Sequence, residues 1–241
     1  MQTYLIECAK QIGIDLTPSQ VEKLTGYFHM VVEKNKAFNL TAITEENDFV
    51  VKHIQDSLAG VSLIPSGAKL LDIGAGAGFP SMPIAIVRDD VFVTSLDSTA
   101  KKMAFVADCA KTLEVKNIKT ISARAEDKKD LFGTFDVVSA RAVSSLQILL
   151  ELAMPFLKVG GIFIAYKTDE SELALSQNAQ KVLSAKHIKT KSLTLANGEK
   201  RALLVFEKTA PTQKQYPRQY GAIKAAVTAF FLFPNRHIAR K

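Results

Sequence analysis

The segment Leu70-Leu71-Asp72-Ile73-Gly74-Ala75-Gly76-Ala77-Gly78-Phe79-Pro80 decides how the rest of the chain is read. A short apolar run ends in three glycines at alternate positions. Glycine lets a backbone turn tightly and allows a bound molecule to approach with no Cβ in the way. The segment therefore predicts a strand followed by a binding turn, which in a doubly wound sheet lies at the carboxyl edge where ligands sit. Nucleotide loops of the dehydrogenase type follow G-x-G-x-x-G. Here Phe79 holds the position of the third glycine and Pro80 follows, which disfavours the helix start that cradles a pyrophosphate. Asp72 suits a cationic ligand and would repel a phosphate. S-adenosylmethionine carries a sulfonium and an ammonium group and no phosphate, so charge selects it as the cofactor.

On either side of this segment the pattern differs. Downstream, short apolar runs at Lys69–Ile73, Val91–Leu96, Ile118–Ser122, Phe135–Ser139 and Gly161–Lys167 read as strands. Helical stretches such as Thr99–Leu113 and Ser144–Leu157 separate them. That alternation predicts βαβ units and a mostly parallel sheet covered on both faces. Ile188–Leu195 and Ala202–Glu207 flank Asn197-Gly198, a hairpin turn signal that predicts an antiparallel closing pair. Upstream, Thr17-Pro18-Ser19-Gln20 reads as a capping box with Pro at the first helical position. Val21, Leu24, Phe28 and Val31 then mark one buried stripe. A second helix is expected from Thr44, with Glu45 and Glu46 in its first turn and Phe49, Val50, Ile54 and Leu58 on its apolar face. The expected organisation is an N-terminal helical extension over residues 1–66, an α/β Rossmann-like cofactor domain over 67–210, and a basic C-terminal segment over 211–241.

Other loops at the expected carboxyl edge carry candidate site residues. Asp97-Ser98-Thr99 ends the second strand, where a carboxylate can accept both ribose hydroxyls of an adenosine cofactor; a plain helix cap is the alternative. Ala123-Arg124-Ala125-Glu126 follows the third strand, where an adenine ring would lodge against backbone amides or Glu126; a plain acidic loop start is the alternative. Ser139-Ala140-Arg141-Ala142-Val143 follows the fourth, on the rim facing the transferred methyl. Enzymes that methylate exocyclic amino groups usually carry Asn or Asp, two prolines and an aromatic there, and this chain does not.

Together with Phe38-Asn39-Leu40-Thr41, Val51-Lys52-His53-Ile54-Gln55-Asp56-Ser57-Leu58, Leu157-to-Gly161 and Tyr216-Pro217-Arg218 with Gly221 and Lys224, these motifs resemble the bacterial small-subunit ribosomal RNA methyltransferase G family, also called glucose-inhibited division protein B. The resemblance spans roughly Phe38 to Lys224. It implies a class I methyltransferase fold and methylation of N7 of a guanosine in 16S ribosomal RNA. Carried over, cofactor contacts fall on Gly74, Phe79, Asp97, Ser98, Thr99, Ala125, Glu126 and Arg141. From Ala225 to Lys241 the chain departs from the family pattern.

Guanine N7 has an unprotonated lone pair at neutral pH, so no catalytic base is assigned. His53 and Asp56, three apart on a helix, read either as anchors of the N-terminal helices or as substrate contacts. A Cβ at Gly74 is expected to enter the cofactor's methionine space. Of the 31 basic and 24 acidic residues, twelve basic and two acidic lie in 185–241, which reads either as a solvated basic face without a ligand or as a surface for an anionic polymer. The resemblance makes that polymer 16S rRNA or the small subunit, with Lys200 and Arg201 as candidates. Cys8 and Cys109 read as buried thiols, and the four histidines lack metal-ligand spacing, so no metal is expected. No signal peptide or membrane span is evident, which makes the cytoplasm the expected location; a monomer is the expected state, though nothing in the sequence decides it.

Overall fold

The computed structural model describes residues 1–232. Its helices are α1 (Gln2–Gln11), α2 (Pro18–Asn35), α3 (Glu46–Phe49), α4 (Asp56–Leu58), α5 (Ser81–Val87), α6 (Ala100–Thr112), α7 (Leu146–Ala153), α8 (Glu172–Leu175), α9 (Gln177–Val182) and α10 (Tyr220–Leu232). The strands are β1 (Lys69–Ile73), β2 (Phe92–Asp97), β3 (Ile118–Ser122), β4 (Phe135–Arg141), β5 (Leu157–Lys167), β6 (Ala185–Thr194) and β7 (Lys200–Lys208). They form one sheet in the order β3-β2-β1-β4-β5-β7-β6. Neighbours from β3 through β5 are parallel, and β7 is antiparallel to both β5 and β6.

The strand order reverses between β1 and β4, so the loops after these two strands diverge and leave a crevice at the carboxyl edge. The second strand of the hairpin, not the first, pairs with β5. Gly198 alone takes the left-handed conformation (φ 86°) in its turn, where its amide donates to Leu195 O at 2.8 Å.

One face of the sheet packs against α5, α6 and the N-terminal helices, whose Leu5, Leu24, Tyr27, Phe28 and Val31 are buried. The capping box of α2 forms as expected, with Gln20 N donating to Thr17 Oγ1 and Thr17 N to Gln20 Oε1. The next helix starts at Glu46 rather than Thr44. Glu45 caps it, because its carboxylate reaches the amides of Asn47 and Asp48. Between α3 and α4 the chain widens into a π-helical turn, Val50–Gln55, which carries Lys52 and His53; Asp56 opens α4 directly after it. Such wider turns recur at functional sites.

On the other face lie α7 and the start of α10. Arg218 clasps buried Glu151 with two charge-assisted bonds, at 2.9 and 2.6 Å, and Ile223 is buried. Residues 233–241, which include part of the C-terminal basic excess and much of the atypical ending, lie outside the described residues. Cys8 and Cys109 are buried free thiols, with burial pushing Cys109 up to about 12.

Candidate active site at the carboxyl edge of the sheet

After β1 the chain is pinned to the end of β2: Gly74 N and Ala75 N both donate to Leu96 O, at 2.8 and 3.1 Å. Gly74, Gly76 and Gly78 all have positive φ (70°, 59° and 95°), a region that L side chains enter at a cost of roughly 1–2 kcal/mol. What surrounds them differs. A Cβ on Gly74 would come within 2.5 Å of Val143 Cγ2, and one on Gly78 within 2.6 Å of the Tyr27 hydroxyl. A Cβ on Gly76 would meet nothing closer than Gly74 O at 3.9 Å. Gly76 therefore faces the open part of the crevice, whereas Gly74 is closed by the loop after β4. This corrects the expectation that a Gly74 side chain would fill cofactor space.

The correction gives a testable contrast. Gly74→Val should unfold or markedly destabilise the protein, since it combines left-handed strain with a clash against packed side chains. Gly76→Ala should cost only about 1–2 kcal/mol of stability while reducing cofactor affinity at least tenfold. Denaturant midpoints and calorimetric titration with S-adenosylhomocysteine would separate the two. Equal affinity loss in both folded variants would contradict this placement.

Asp97 sits at the end of β2 beside Gly76. One carboxylate oxygen accepts Gly76 N at 3.0 Å and the other accepts Thr99 N at 2.8 Å. It thus ties the glycine loop to the start of α6, and each oxygen retains a lone pair for a ligand hydroxyl. Ser98 and Thr99 complete that turn, with Thr99 at the N-cap of α6. Ala125 and Glu126 lie in a short 3-10 turn after β3. Glu126 is buried, and its carboxylate accepts Tyr220 N at 3.2 Å. That contact ties the Glu126 side chain to the start of α10.

Asp72 lies beneath the loop, not on its lip. It is fully buried, accepts Ser139 Oγ at 3.0 Å and Ser81 N at 3.2 Å, and burial raises its pKa to about 7 despite those bonds. A helix does begin directly after Pro80. Its first amide, Ser81 N, is met by the protein's own carboxylate, the place where a nucleotide phosphate would otherwise be drawn. Pro80 thus does not prevent the helix start, contrary to expectation; the Asp72 carboxylate at its first amide is what disfavours a phosphate there.

Beyond β4, Ala142 has a positive φ of 55°, and Arg141, the last residue of the strand, reaches the N-terminal helices. Its Nη1 donates to Lys52 O at 2.8 Å and to Asp56 Oδ2 at 2.9 Å, and its Nη2 meets His53 Nδ1 at 3.1 Å. Arginine can only donate, so His53 Nδ1 accepts and the neutral ring carries its proton on Nε2. That proton points to Thr41 Oγ1 at 2.7 Å. Burial first, and the Arg141 charge second, lower the His53 pKa to about 3. The ring stacks on Phe79 at 4.3 Å with an interplanar angle of 7°.

Phe79 is buried among Tyr27, Phe49 and His53, so its side chain belongs to the core beneath the loop. Of the two roles open for His53 and Asp56, this geometry favours anchoring. Asp56 also accepts Arg201 Nε at 3.2 Å, and Arg201 Nη2 pairs with Glu199 at 2.8 Å. Arg201 is thus engaged in the fold instead of offered to a polymer.

Supporting contacts that the sequence did not reveal complete the site. Tyr27 donates its hydroxyl to Ala77 O within the glycine loop. Ser139 and Ser81 hold Asp72, and Val143 closes Gly74. A polar tip within the buried stripe of α2 was the one available signal for Tyr27.

A match to a sequence family fits this arrangement. The family model for rRNA small subunit methyltransferase G matches residues 20–204. The chain belongs to this family. The ribosomal RNA small subunit methyltransferase G of Streptococcus pyogenes serotype M3 (strain ATCC BAA-595 / MGAS315) is 44% identical over 217 residues, covering 87% of this chain and 92% of the relative. That of serotype M4 (strain MGAS10750) is 43% identical with the same coverage.

Solved structures share the fold at low identity. M. jannaschii TYW2 in complex with AdoMet gives a TM-score of 0.56 at 17% identity, covering 69% of this chain and 79% of that one. A variant of the 16S rRNA (adenine(1408)-N(1))-methyltransferase from Catenulisporales acidiphilia gives 0.52 at 14%, covering 66% and 93%. This family member is therefore a methyltransferase on a class I sheet. Among the described residues, no group of His, Cys, Asp and Glu could hold a metal ion, and no helix is long and apolar enough to cross a membrane.

Proposed function

We propose that this chain transfers the methyl group of S-adenosylmethionine to N7 of a guanosine in 16S ribosomal RNA. The observation that carries the reading is the opening in front of Gly76, bordered by Asp97, in a chain that belongs to the methyltransferase G family. The residues present fit the cofactor: an unfilled glycine cradle, a carboxylate with free lone pairs, and the first amide after the glycine loop already met by Asp72. Gly74, Gly76 and Phe79 would contact it through the backbone, Asp97 with Ser98 and Thr99 would hold the ribose, and Ala125 with Glu126 would border the adenine. When bound, the cofactor supplies an activated methyl group.

The rest of the task is positioning. N7 attacks through an in-plane lone pair, so no residue must take a proton first. Orientation alone can contribute about 7–11 kcal/mol. His53, neutral and with both ring nitrogens engaged, is not free to act as a base. Arg141 would fix the loop after β4, and with it the rim on which the target base rests. A substrate of this kind would place the work in the cytoplasm.

Incubating the protein with labelled S-adenosylmethionine and small-subunit particles, then mapping 7-methylguanosine, tests the reading. Label at N7 of one guanosine is expected; label in protein, or at another base atom, would overturn it. In the same assay Asp97→Ala should raise the cofactor Kd by roughly ten- to a hundredfold, the loss of a charge-assisted hydrogen bond. Its affinity for RNA should stay within twofold.

A further inference from the structure

The crossover from β3 to β4 differs from its neighbours. Helices α5, α6 and α7 cover the β1–β2, β2–β3 and β4–β5 crossovers. Between β3 and β4 lie only two single 3-10 turns, Ala125–Asp127 and Lys129–Leu131. The connection is too short to roof the amino-terminal ends of β1–β3 on the α7 face.

Strand alternation shows what is left uncovered there. Leu71 and Ile73 of β1 and Leu96 of β2 point into the core on that face. Two-residue periodicity then puts Lys69, Phe92, Thr94 and Lys119 on the same face. The register sets Lys69 beside Phe92 and Thr94 beside Lys119. Phe92 is 61% exposed, the most exposed large apolar side chain among the described residues.

A cavity of about 460 Å³ opens at this place, with Leu131 and Phe135 as its apolar wall and Lys69, Lys116 and Lys119 among its lining. On the other side of the 129–134 connection a second cavity of about 560 Å³ is lined by Lys129, Lys158, Lys208 and Lys214. Neither cavity is lined by a carboxylate from the described residues. The nearby acids are engaged: Asp136 with Lys158 and the Lys69 amide, and Asp130 with Lys128. Lys208 is also engaged, through Leu157 O. An exposed aromatic between lysines is the pattern that holds unpaired nucleotides, the ring stacking a base and the cations following the phosphates.

We propose that this amino-terminal edge of the sheet is a second contact surface for the RNA substrate, with Phe92 stacking on an unpaired base. Lys69, Lys116, Lys119, Lys129 and Lys214 lie along the backbone of the same RNA. The inference rests on the functional reading above and adds a surface remote from it. A five-residue strand separates the two edges by about 17 Å, so only an RNA larger than the target loop reaches both.

The test compares Phe92→Ala and a Lys69→Gln/Lys119→Gln double variant with the wild type, using full-length 16S rRNA and a short oligonucleotide holding the target guanosine. All three side chains are exposed, so the fold should persist. With 16S rRNA, Phe92→Ala should raise KM roughly tenfold, as expected when one base no longer stacks. The lysine variant should flatten the log–log salt dependence by about 0.7 for each phosphate that is no longer neutralised. The kcat at saturating RNA, the KM for S-adenosylmethionine and binding of the short oligonucleotide should not change. Unchanged KM and salt slope on 16S rRNA would overturn the surface. So would equal losses on the short oligonucleotide, which would place these residues at the methyl-transfer edge. A wild-type protein that failed to methylate both this RNA and small-subunit particles would overturn the functional reading itself.

Discussion

Arg141→Ala is expected to lose methyl transfer by at least about a hundredfold and to lower stability by about 3–5 kcal/mol, the range for removing one partner of a buried ion pair. Its side chain is 14% exposed and Asp56 only 5%. The guanidinium is the meeting point of Lys52 O, Asp56 and His53, and its central carbon lies 5.4 Å from the Phe79 ring centre. Without it, Asp56 keeps Arg201 alone and His53 Nδ1 loses its donor. The π-helical turn would then detach from the end of β4, and with it the packing under the glycine loop. Arg141→Lys should recover part of the stability and little of the activity, because an ammonium cannot reproduce the fork that reaches several acceptors at once. Raised pH should rescue neither variant, since the defect is misplacement and not a missing base. Chemical denaturation together with single-turnover methylation measures both effects; a stable and active Arg141→Ala protein would remove Arg141 from the site.

The second large effect is on the pH dependence of stability, where two buried groups oppose each other. Burial raises Asp72 from 3.8 to about 7. Between those values the native state holds a proton that the unfolded chain has released, so this group makes stability fall as pH rises. Burial and the Arg141 charge lower His53 from 6.5 to about 3. In that interval the unfolded chain holds the extra proton, so this group makes stability rise with pH. Each contributes a slope approaching 1.4 kcal/mol per pH unit, and from about pH 4.5 to 6 the two cancel.

Wild-type stability should therefore be nearly flat across that window as far as these groups are concerned. His53→Gln should unmask the falling slope of Asp72, while Asp72→Asn should unmask the rising slope of His53. The glutamine amide can still accept from Arg141 and donate to Thr41, while the stack on Phe79 is lost, so the slope with pH and not the absolute stability is the readout. Unfolding free energies from urea titrations at half-unit pH intervals would show it. Both variants running parallel to the wild type would mean that neither group is perturbed in the folded state.

The sequence determined whatever is decided within a few residues. The capping box of Thr17 and Gln20, the apolar stripe of α2 and the strands at Lys69–Ile73 and Ile118–Ser122 follow from local spacing and local hydrogen bonding. The left-handed glycines after β1 and the position of Asp97 at the end of β2 were legible for the same reason: a strand–turn–helix unit writes its geometry in consecutive residues. The family motifs pointed to Phe79 and Arg141 as positions; in the folded chain both side chains pack against the N-terminal helices.

What those side chains do was not legible. Arg141 meets Asp56 across 85 positions and Tyr27 meets Ala77 across 50, and no local pattern encodes such a pair. The burial of Asp72 depends on Ser139 of a strand 67 positions away. The row of Lys69, Phe92 and Lys119 exists only because strand register aligns three separate segments on one face. Local sequence sets backbone conformation because its energetics act over a turn of chain. Side-chain partners, burial and charge balance are set by which surfaces the folded sheet brings together, and the tertiary structure alone decides them.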